Sequence, residues 1–482
     1  MPSIESRACG LDWQAFVYMN VFLACSSFSC ALPTIEPYLE KLGALPLWAY
    51  AVAIYSVGQF LASPIWGYLC SIYRSENTLY ASLLIGIVGG LLYATARTGV
   101  EILIARLLIG LYTGSQEACH RTIVVRCTTD NERTVAQAGV STATVLGFLF
   151  GPALAGIFFF KPLGPVYFLG VPLRLDTFTG PGWLIVVFCF ISSFFVTIGL
   201  TQEQTKGLPQ CVDPANDAKK TSQGYEALPA AEEARYGALE REDAKAKGVV
   251  RDLEKEICTS RMPIRVSGII ICGLVLFVNA LGFSAYETIT TPLVKNDFGW
   301  DLLYADLLFV AAGIVCILVF FIIRLTSASV EDRYLLLCGV LFSTAGYGLM
   351  LEFFDNRMNL IRFLIGFAAV NAAMELNRSV TMSLASKILP PASRHHGLLQ
   401  GLLISCVACA RIIGPMYAVW VWNATDRDKF SQGHWVFVGL FLCFFITTIA
   451  YAASFDYLRS YRDLYNQWLQ SKGQLVSEKM KT

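Results

Sequence analysis

Charged side chains are scarce in this sequence, and their scarcity excludes a water-soluble globular fold. Asp, Glu, Lys and Arg make up 15% of the 482 residues, whereas soluble proteins carry about a quarter. Hydrophobic residues account for 55% and the mean hydropathy is +0.53. The net charge of +1 lacks the basic excess that nucleic-acid binding requires, so nucleic acid is not an expected partner. The solvent for most of this chain must be lipid.

Features typical of secreted proteins and of enzymes are also missing. The first apolar run, 15–32, follows a leader with the single arginine Arg7, so it is predicted to be a retained span rather than a signal peptide. The fifteen cysteines lie in apolar runs or on the side predicted to be cytosolic, which argues against a disulfide scaffold. Cys406 and Cys409 lack a second pair, which favours apolar packing over a metal site. Because no catalytic or nucleotide-binding motif stands in a suitable context, we expect no enzyme, metal or cofactor.

Apolar stretches long enough to cross a bilayer recur through the whole chain. Six are predicted in the first half, at 14–36, 47–70, 79–96, 101–124, 136–160 and 183–200. Six more follow at 264–291, 304–324, 334–354, 360–386, 397–422 and 435–454. The sequence therefore predicts an all-α polytopic membrane protein with twelve transmembrane helices in two six-helix halves. The predicted divisions are an N-terminal half at 1–200, a cytosolic polar linker at 201–262, a C-terminal half at 263–455 and a cytosolic tail at 456–482.

Short motifs of the first half recur at corresponding places in the second. Phe28-Ser29 with Pro37 recurs as Phe283-Ser284 with Pro292, Arg106 with Gly110 recurs as Arg362 with Gly366, and Gly151-Pro152 recurs as Gly414-Pro415. Such repeats are typical of transporters, in which the binding site lies at the interface between the repeats. The repeats therefore indicate solute movement between two related halves.

Ionisable residues inside the predicted spans are unevenly distributed. The cores of spans three, six, nine and twelve hold essentially none, whereas span four places Arg106, Glu117 and Arg121 on one helical face. Because charges in a membrane normally face a bundle interior or water, we predict that they line a pathway. The predicted pathway residues are Arg106, Glu117, Arg121, Glu287, Glu375, Gln400 and Arg411. The alternative is that these groups, with Arg378 of span ten, only pair with one another to hold helices together.

Small residues beside a proline mark spans five and eleven. Gly147, Gly151 and Pro152 lie in span five, and Gly414 and Pro415 lie in span eleven. This combination predicts close helix approach and a bend, which fits either gating or simple tight packing. His120, near the inner end of span four, is predicted to be an ordinary interfacial histidine rather than a proton-linked group.

Several segments together resemble the major facilitator superfamily, and within it the domain-containing protein 8 branch, the lysosomal protein of neuronal ceroid lipofuscinosis type 7. They are Tyr55–Gly67, Ala105-Arg106 with Gly110 and Arg121, Gly147–Pro152, Tyr286–Pro292, Ser386–Leu389 and Ala410–Met416. The resemblance implies that spans one, four, seven and ten surround a central cavity. It also implies an endolysosomal membrane and chloride permeation. The loop after span two departs from the superfamily pattern, because the usual aspartate position reads Ser71, which argues against conventional gating there.

The topology and sorting signals are predicted from the polar segments. The linker and the tail must share one side of the membrane when the span count is even, and we assign that side and both termini to the cytosol. Asn423 then lies in an outer loop, where it is a candidate for N-glycosylation. Tyr225 and Tyr236 each begin a tyrosine-x-x-bulky motif in the linker, which is the form of a lysosomal sorting signal read by adaptors.

The predicted function is the transmembrane movement of a small solute or inorganic anion, because arginine stays charged and binds oxyanions bidentately. Two alternatives remain open: a transport-inactive sensor or scaffold, which the substitution at Ser71 suggests, and an organic-anion carrier of another membrane. A membrane enzyme is disfavoured, since no paired catalytic groups lie near a membrane surface.

Overall fold

The structure of the protein is a computed structural model. It describes residues 13–156, 163–168, 171–199, 265–300, 302–327, 329–351, 358–390, 393, 395–425, 432–464 and 467. The predicted linker, with Tyr225 and Tyr236, lies outside the described residues, as does the tail beyond residue 467. The predicted domain boundaries at the linker therefore stay predictions.

Long helices form all twelve predicted spans in the described part of the chain, which confirms the all-α polytopic class. The helices of the first half are Trp13–Ser29 with Leu32–Lys41 as span one, Trp48–Ile72, Ser75–Thr95, Gly99–Cys127, Asp130–Ala155 and Gly180–Gly199. Those of the second half are Val266–Phe298, Leu302–Thr326, Asp332–Leu349, Leu360–Ile388, His396–Ala424 and Gln432–Ala453. Span one is interrupted because Pro33 occupies the first turn of its second helix, where a missing N–H is tolerated.

Ten of these helices are long and apolar enough to cross a membrane by composition alone. The other two, Gly99–Cys127 and Asp332–Leu349, are more polar; the first holds Arg106, Glu117 and Arg121. The sequence did not predict a short antiparallel hairpin between spans five and six. It pairs strand β1, Leu163–Phe168, with strand β2, Val171–Leu175.

The alternating direction of the spans gives the bundle two faces. We name the linker face after its position: spans one and seven begin there, and spans six and twelve end there. The opposite face holds the short connections between spans one and two and between spans eleven and twelve. Spans three, six, nine and twelve expose large apolar side chains, such as Leu84, Phe190, Phe342 and Ile446, as a lipid-facing position requires.

Each half has its own apolar core, and the halves meet tightly at the linker face. Span two crosses span eleven there, where a Cβ atom on Gly67 would overlap the carbonyl oxygen of Gly397. Ser405 Oγ donates a hydrogen bond of 2.8 Å to the carbonyl oxygen of Phe60 at the same crossing. Glycine lets the two backbones approach this closely because it has no side chain to separate them.

A second polar contact joins the halves at the linker face. Thr134 Oγ1, at the start of span five, donates to Asp332 Oδ1 of span nine at 2.8 Å. Lys387 Nζ, at the end of span ten, lies 2.6 Å from Asp332 Oδ2. A first-half hydroxyl therefore completes an ion pair of the second half. The halves touch at this face and leave a space nearer the middle of the membrane.

Candidate functional site

A cavity of about 350 Å³ lies between span five of the first half and spans seven, eight, ten and eleven of the second. Its polar lining consists of Thr144, Asn279, Tyr286, Glu287, Asn371, Glu375, Arg378 and Arg411. Phe148, Phe283, Phe309 and Met374 contribute to its apolar walls. The volume is in the range of small-molecule sites, which are mostly apolar with a few placed polar groups. The position, at the interface of two repeated halves, is the one that transporters built from repeats use.

Glu117 is the centre of a charged cluster beside this cavity. Its Oε1 accepts hydrogen bonds from Arg121 Nε and Nη2, both at 3.2 Å, and from Arg378 Nη2 at 2.5 Å. Its Oε2 accepts from Gln59 Nε2 at 3.3 Å. Arg378 belongs to span ten, so this carboxylate binds one guanidinium from each half.

Several other polar atoms of the cluster are also held by hydrogen bonds. Arg121 Nη1 donates to Gln137 Oε1 at 2.9 Å, and its Nη2 donates to Ser141 Oγ at 3.3 Å. Glu375, on the cavity wall, accepts from Thr142 at 3.4 Å and from Ser379 at 3.3 Å. Sequence reasoning missed Gln59, Gln137 and Ser141; the available signal was a polar residue inside an apolar helix.

Glu287 and Arg411 behave differently from the clustered charges. Glu287 lies on span seven and Arg411 on span eleven, and both line the cavity. Both are half-buried. Neither side chain makes a hydrogen bond or an ion pair with any residue in the described part of the chain. One cation and one anion therefore face the cavity without a hydrogen-bonded or ion-paired partner among the described residues, and Arg411 is close enough to attract the carboxylate of Glu287.

Two predicted pathway residues lie away from the cavity. Arg106 is fully buried. Its Nε donates to the carbonyl oxygen of Ala51 at 3.3 Å, and its guanidinium lies 5.3 Å from the ring of Phe28 and 5.0 Å from that of Tyr55. Gln400 is buried against span ten, where its Nε2 donates to the carbonyl oxygen of Met382 at 3.1 Å.

Arg106 lies away from the cavity because of the way span four packs. Its charged face was predicted to be one wall of an aqueous path, but the part of that face from Arg106 to Thr113 packs against span two. Thr113 Oγ1, for example, hydrogen-bonds Tyr55 Oη at 2.7 Å, and a Cβ on Gly110 would overlap the carbonyl oxygen of Tyr55. His120 also differs from its prediction: it is fully buried rather than interfacial, and its Nδ1 lies 2.7 Å from the carbonyl oxygen of Gln116.

The glycine and proline motifs occupy equivalent positions in the two halves. In the first half, Gly147 and Gly151 of span five pack against span one, and Ser29 Oγ donates to the carbonyl oxygen of Gly147 at 3.0 Å. In the second half, Gly414 packs against Ser284 of span seven. Pro152 and Pro415 lie inside their helices, and Pro152 also lines the cavity. The motifs pack helices within each half, while their predicted part in gating stays a prediction.

The loop after span two contacts the second half through the residue that replaces the superfamily aspartate. Ser71 Oγ accepts a hydrogen bond of 3.0 Å from the backbone N–H of Gly397, in the first turn of span eleven. Arg126 supports this loop by donating to the carbonyl oxygens of Cys70 at 2.9 Å and Ser71 at 2.6 Å. A neutral hydroxyl thus occupies the helix terminus where a carboxylate would also be favourable.

Twelve spans in two halves, with a cavity at their interface, define a multi-pass membrane protein with a fold built from two repeated halves. The chain belongs to the Major Facilitator Superfamily, whose sequence profile matches residues 17–226 and 272–468. This confirms the superfamily resemblance seen in the sequence.

Similar proteins agree with that assignment. The major facilitator superfamily domain-containing protein 8 of Xenopus laevis is 24% identical over 359 residues, which are 72% of this chain and 64% of that protein. The chain thus spans less than two thirds of that relative. An SPX domain-containing membrane protein of Arabidopsis thaliana is 26% identical over 204 residues, which are 41% of this chain and 28% of that protein.

Solved structures share the fold. The human organic anion transporter TETRAN superposes with a TM-score of 0.62 at 17% identity, covering 92% of this chain and 98% of that one. A proton:xylose symporter, bound to 6-bromo-6-deoxy-D-glucose, gives 0.62 at 13% identity over 93% and 95% of the two chains. At these identities the likeness establishes the fold alone.

Proposed function

We propose that the protein moves a small solute with an anionic group across an endolysosomal membrane, and that Arg411 binds this group. The observation that carries the proposal is that Arg411 faces the cavity without a partner among the described residues. Arg121 and Arg378, in contrast, are bound to Glu117, and Arg106 is enclosed by aromatic rings.

The chemistry of the side chain supports an anionic group. A guanidinium remains charged at any physiological pH and offers a planar set of donors that matches carboxylates and phosphates. An unpaired charge inside a membrane is costly, so its presence on a cavity wall favours a binding role. Chloride and organic anions are both candidates for this site, and the experiment below separates them.

The arrangement of the halves supports alternating access. The halves contact each other at the linker face through the Gly67–Gly397 crossing and the Thr134–Asp332 hydrogen bond, and beside the cavity through the Glu117–Arg378 pair. Opening that face requires these contacts to break while the contacts within each half remain. The cavity then becomes accessible from the linker face, as in transporters built from two repeats.

The proposed location comes from the resemblance to the domain-containing protein 8 branch, with Tyr225 and Tyr236 as adaptor sites and both termini in the cytosol. The alternative of a transport-inactive sensor was based on Ser71. The hydrogen bond from Gly397 to Ser71 favours transport over that alternative, because the loop still contacts span eleven.

The test is flux into liposomes that contain the purified protein. Labelled chloride and labelled 3-phenylpropionate are supplied in separate arms, with wild type, Arg411→Leu and Arg411→Lys. We expect uptake of at least one anion, a loss of tenfold or more with Arg411→Leu, and partial retention with Arg411→Lys.

Arg362→Leu is the matched control. Arg362 lies in the first turn of span ten, away from the cavity, and donates to the carbonyl oxygen of Leu351 at 3.0 Å. Absence of flux for both anions in either gradient direction would contradict the proposal, and so would wild-type uptake by Arg411→Leu. If transport is absent while a partner still binds the linker after neutralisation of Glu117 and Arg411, the sensor alternative is correct.

A further inference from the structure

The cavity presents two opposite charges that have no hydrogen-bond or ion-pair partner among the described residues. Glu287 and Arg411 both line it and both are half-buried. The other two charged residues on its wall are already engaged: Glu375 by Thr142 and Ser379, and Arg378 by Glu117. A solute in this space therefore meets one free carboxylate and one free guanidinium.

A simple anion fits only half of this arrangement. Its charge is attracted to Arg411 but repelled by Glu287, and both interactions are stronger than in bulk water because the mostly apolar walls screen charge weakly. A solute that also carries a cationic group removes the repulsion and gives Glu287 a partner. It satisfies both unpaired groups at once, which is the general requirement for buried charges.

The rest of the lining indicates what lies between the two charged ends of the solute. Phe148 of span five, Phe283 of span seven and Phe309 of span eight are among the wall residues, with Met374 of span ten. Such walls bind an apolar body through buried area and through the adaptable thioether of methionine. A cavity of about 350 Å³ is also larger than a bare halide needs, and it is in the range that holds small organic molecules.

We infer that the solute is a small zwitterion with an apolar body, its anionic group on Arg411 and its cationic group on Glu287. The inference rests on the proposed transport of a solute with an anionic group and specifies the chemical class of that solute. Glu287 acts as a specificity-determining residue that selects solutes with an ammonium group over plain carboxylates.

The experiment measures Kd by titration calorimetry for three compounds that share one apolar body. Phenylalanine carries both charges, 3-phenylpropionate lacks the ammonium group and phenethylamine lacks the carboxylate. The purified full-length protein is held at one pH and one salt composition, so that any bound ion is the same for all three compounds. For wild type we expect phenylalanine to bind at least tenfold more tightly than either of the other two.

Two variants test which residue binds each charged group of the solute. Glu287→Gln is expected to weaken phenylalanine binding to the level of 3-phenylpropionate, whose own Kd stays the same or improves because the repelling carboxylate is gone. Arg411→Leu is expected to weaken phenylalanine and 3-phenylpropionate and to leave phenethylamine unchanged. Glu36→Gln is the matched control, since Glu36 is exposed at the end of span one, and all three Kd values should stay at wild type.

The outcomes separate this inference from the proposed function. If 3-phenylpropionate binds in a manner that depends on Arg411 but phenylalanine gains nothing, the solute class is wrong and the proposed anion site stands. If Glu287→Gln weakens all three compounds equally, its role is structural and the inference is overturned. If no compound binds to wild type, the inference fails, and the separate flux assay decides whether the proposed function fails with it.

Discussion

Arg378 of span ten donates from Nη2 to Oε1 of Glu117 in span four at 2.5 Å, and the two residues belong to different halves of the protein. The same carboxylate oxygen also accepts two hydrogen bonds from Arg121 at 3.2 Å. One carboxylate thus stabilises the buried guanidinium group of Arg121 and the half-buried one of Arg378. Because one of them must leave when the halves separate, the pair couples the charge balance of the interior to the conformation.

Replacement of Glu117 should be strongly destabilising. Glu117→Gln leaves Arg121 and Arg378 without their carboxylate, and removing one partner of a buried pair costs about 3–5 kcal/mol. We expect a lower midpoint in thermal unfolding of the detergent-purified protein. The double variant Glu117→Gln/Arg378→Gln should lose less than the sum of the single variants, because it also removes one unpaired charge.

The matched control for this cycle is Glu132→Gln. Glu132 is exposed at the linker face and its carboxylate accepts a hydrogen bond from Thr129, so the change should be within about 0.5 kcal/mol. Strictly additive losses for Glu117 and Arg378 would show that the two residues do not interact.

A larger side chain at the crossing of spans two and eleven should keep the linker face open. A Cβ on Gly67 would overlap the carbonyl oxygen of Gly397, so Gly67→Val forces the helices apart. We expect a longer distance between spin labels attached at Tyr73 and Glu331, which are exposed on this face in different halves, and at least a tenfold loss of uptake. The labelling uses a Cys338→Ser background, because Cys338 is exposed.

Gly273→Ala serves as the control for added bulk. The nearest atom to a Cβ at Gly273 is Cys406 Sγ at 3.8 Å, which is ordinary contact. The label distance and the uptake should stay at wild type. A Gly67→Val protein with unchanged label distance would refute the assigned close approach.

The charge at Ser71 should set the balance between the open and closed linker face. Ser71→Asp places a carboxylate at the first turn of span eleven, where the helix dipole favours negative charge by about 0.3–1 kcal/mol, so the closed population should rise. Ser71→Ala removes the acceptor for Gly397 N–H and should lower the closed population. The closed state should lose about 0.5–2 kcal/mol, which is typical of a lost helix cap.

The same pair of spin labels reports these populations. Asn77→Asp adds an equal charge at an exposed position near the linker face and should leave the distribution unchanged. Shifts of the same sign for Ser71→Asp and Ser71→Ala would contradict the proposed contact.

Glycosylation at Asn423 would establish which face is luminal. Asn423 is exposed in the last turn of span eleven, on the opposite face. We expect glycosidase treatment of the protein from cultured animal cells to increase its mobility on a gel. Asn423→Gln and Thr425→Ala should both abolish the shift, because each destroys the acceptor sequence. A shift that survives both changes, or no shift in wild type, would show that Asn423 carries no glycan.

Much of the architecture could be predicted because lipid imposes local rules. The apolar runs predicted all twelve helices, since every backbone polar group in a bilayer must be satisfied within its own helix. The repeated pair Ser29 and Ser284 lie at equivalent positions in the structure, as each packs against a glycine of its own half. The hairpin of β1 and β2 lies outside the helices, where no such rule applies.

The candidate site could be predicted only in part. Glu287, Glu375 and Arg411 were expected to lie along a pathway. The structure places all three in the lining of one cavity. Arg106 was expected to line the same pathway as Arg411, because both are arginines inside predicted spans. Their difference lies in the neighbours: Phe28 and Tyr55 enclose Arg106, whereas Arg411 faces open space.

The sequence by itself determined the membrane as solvent, the number of spans and their arrangement in two related halves, because hydropathy and repetition depend on residues close in the chain. Only the tertiary structure decided which buried charges neutralise each other. Glu117 and Arg378 are 261 residues apart, and Glu287 and Arg411 lie on different helices. A charge in lipid must find its partner through space, so whether it serves stability or binding depends on which helices pack against it.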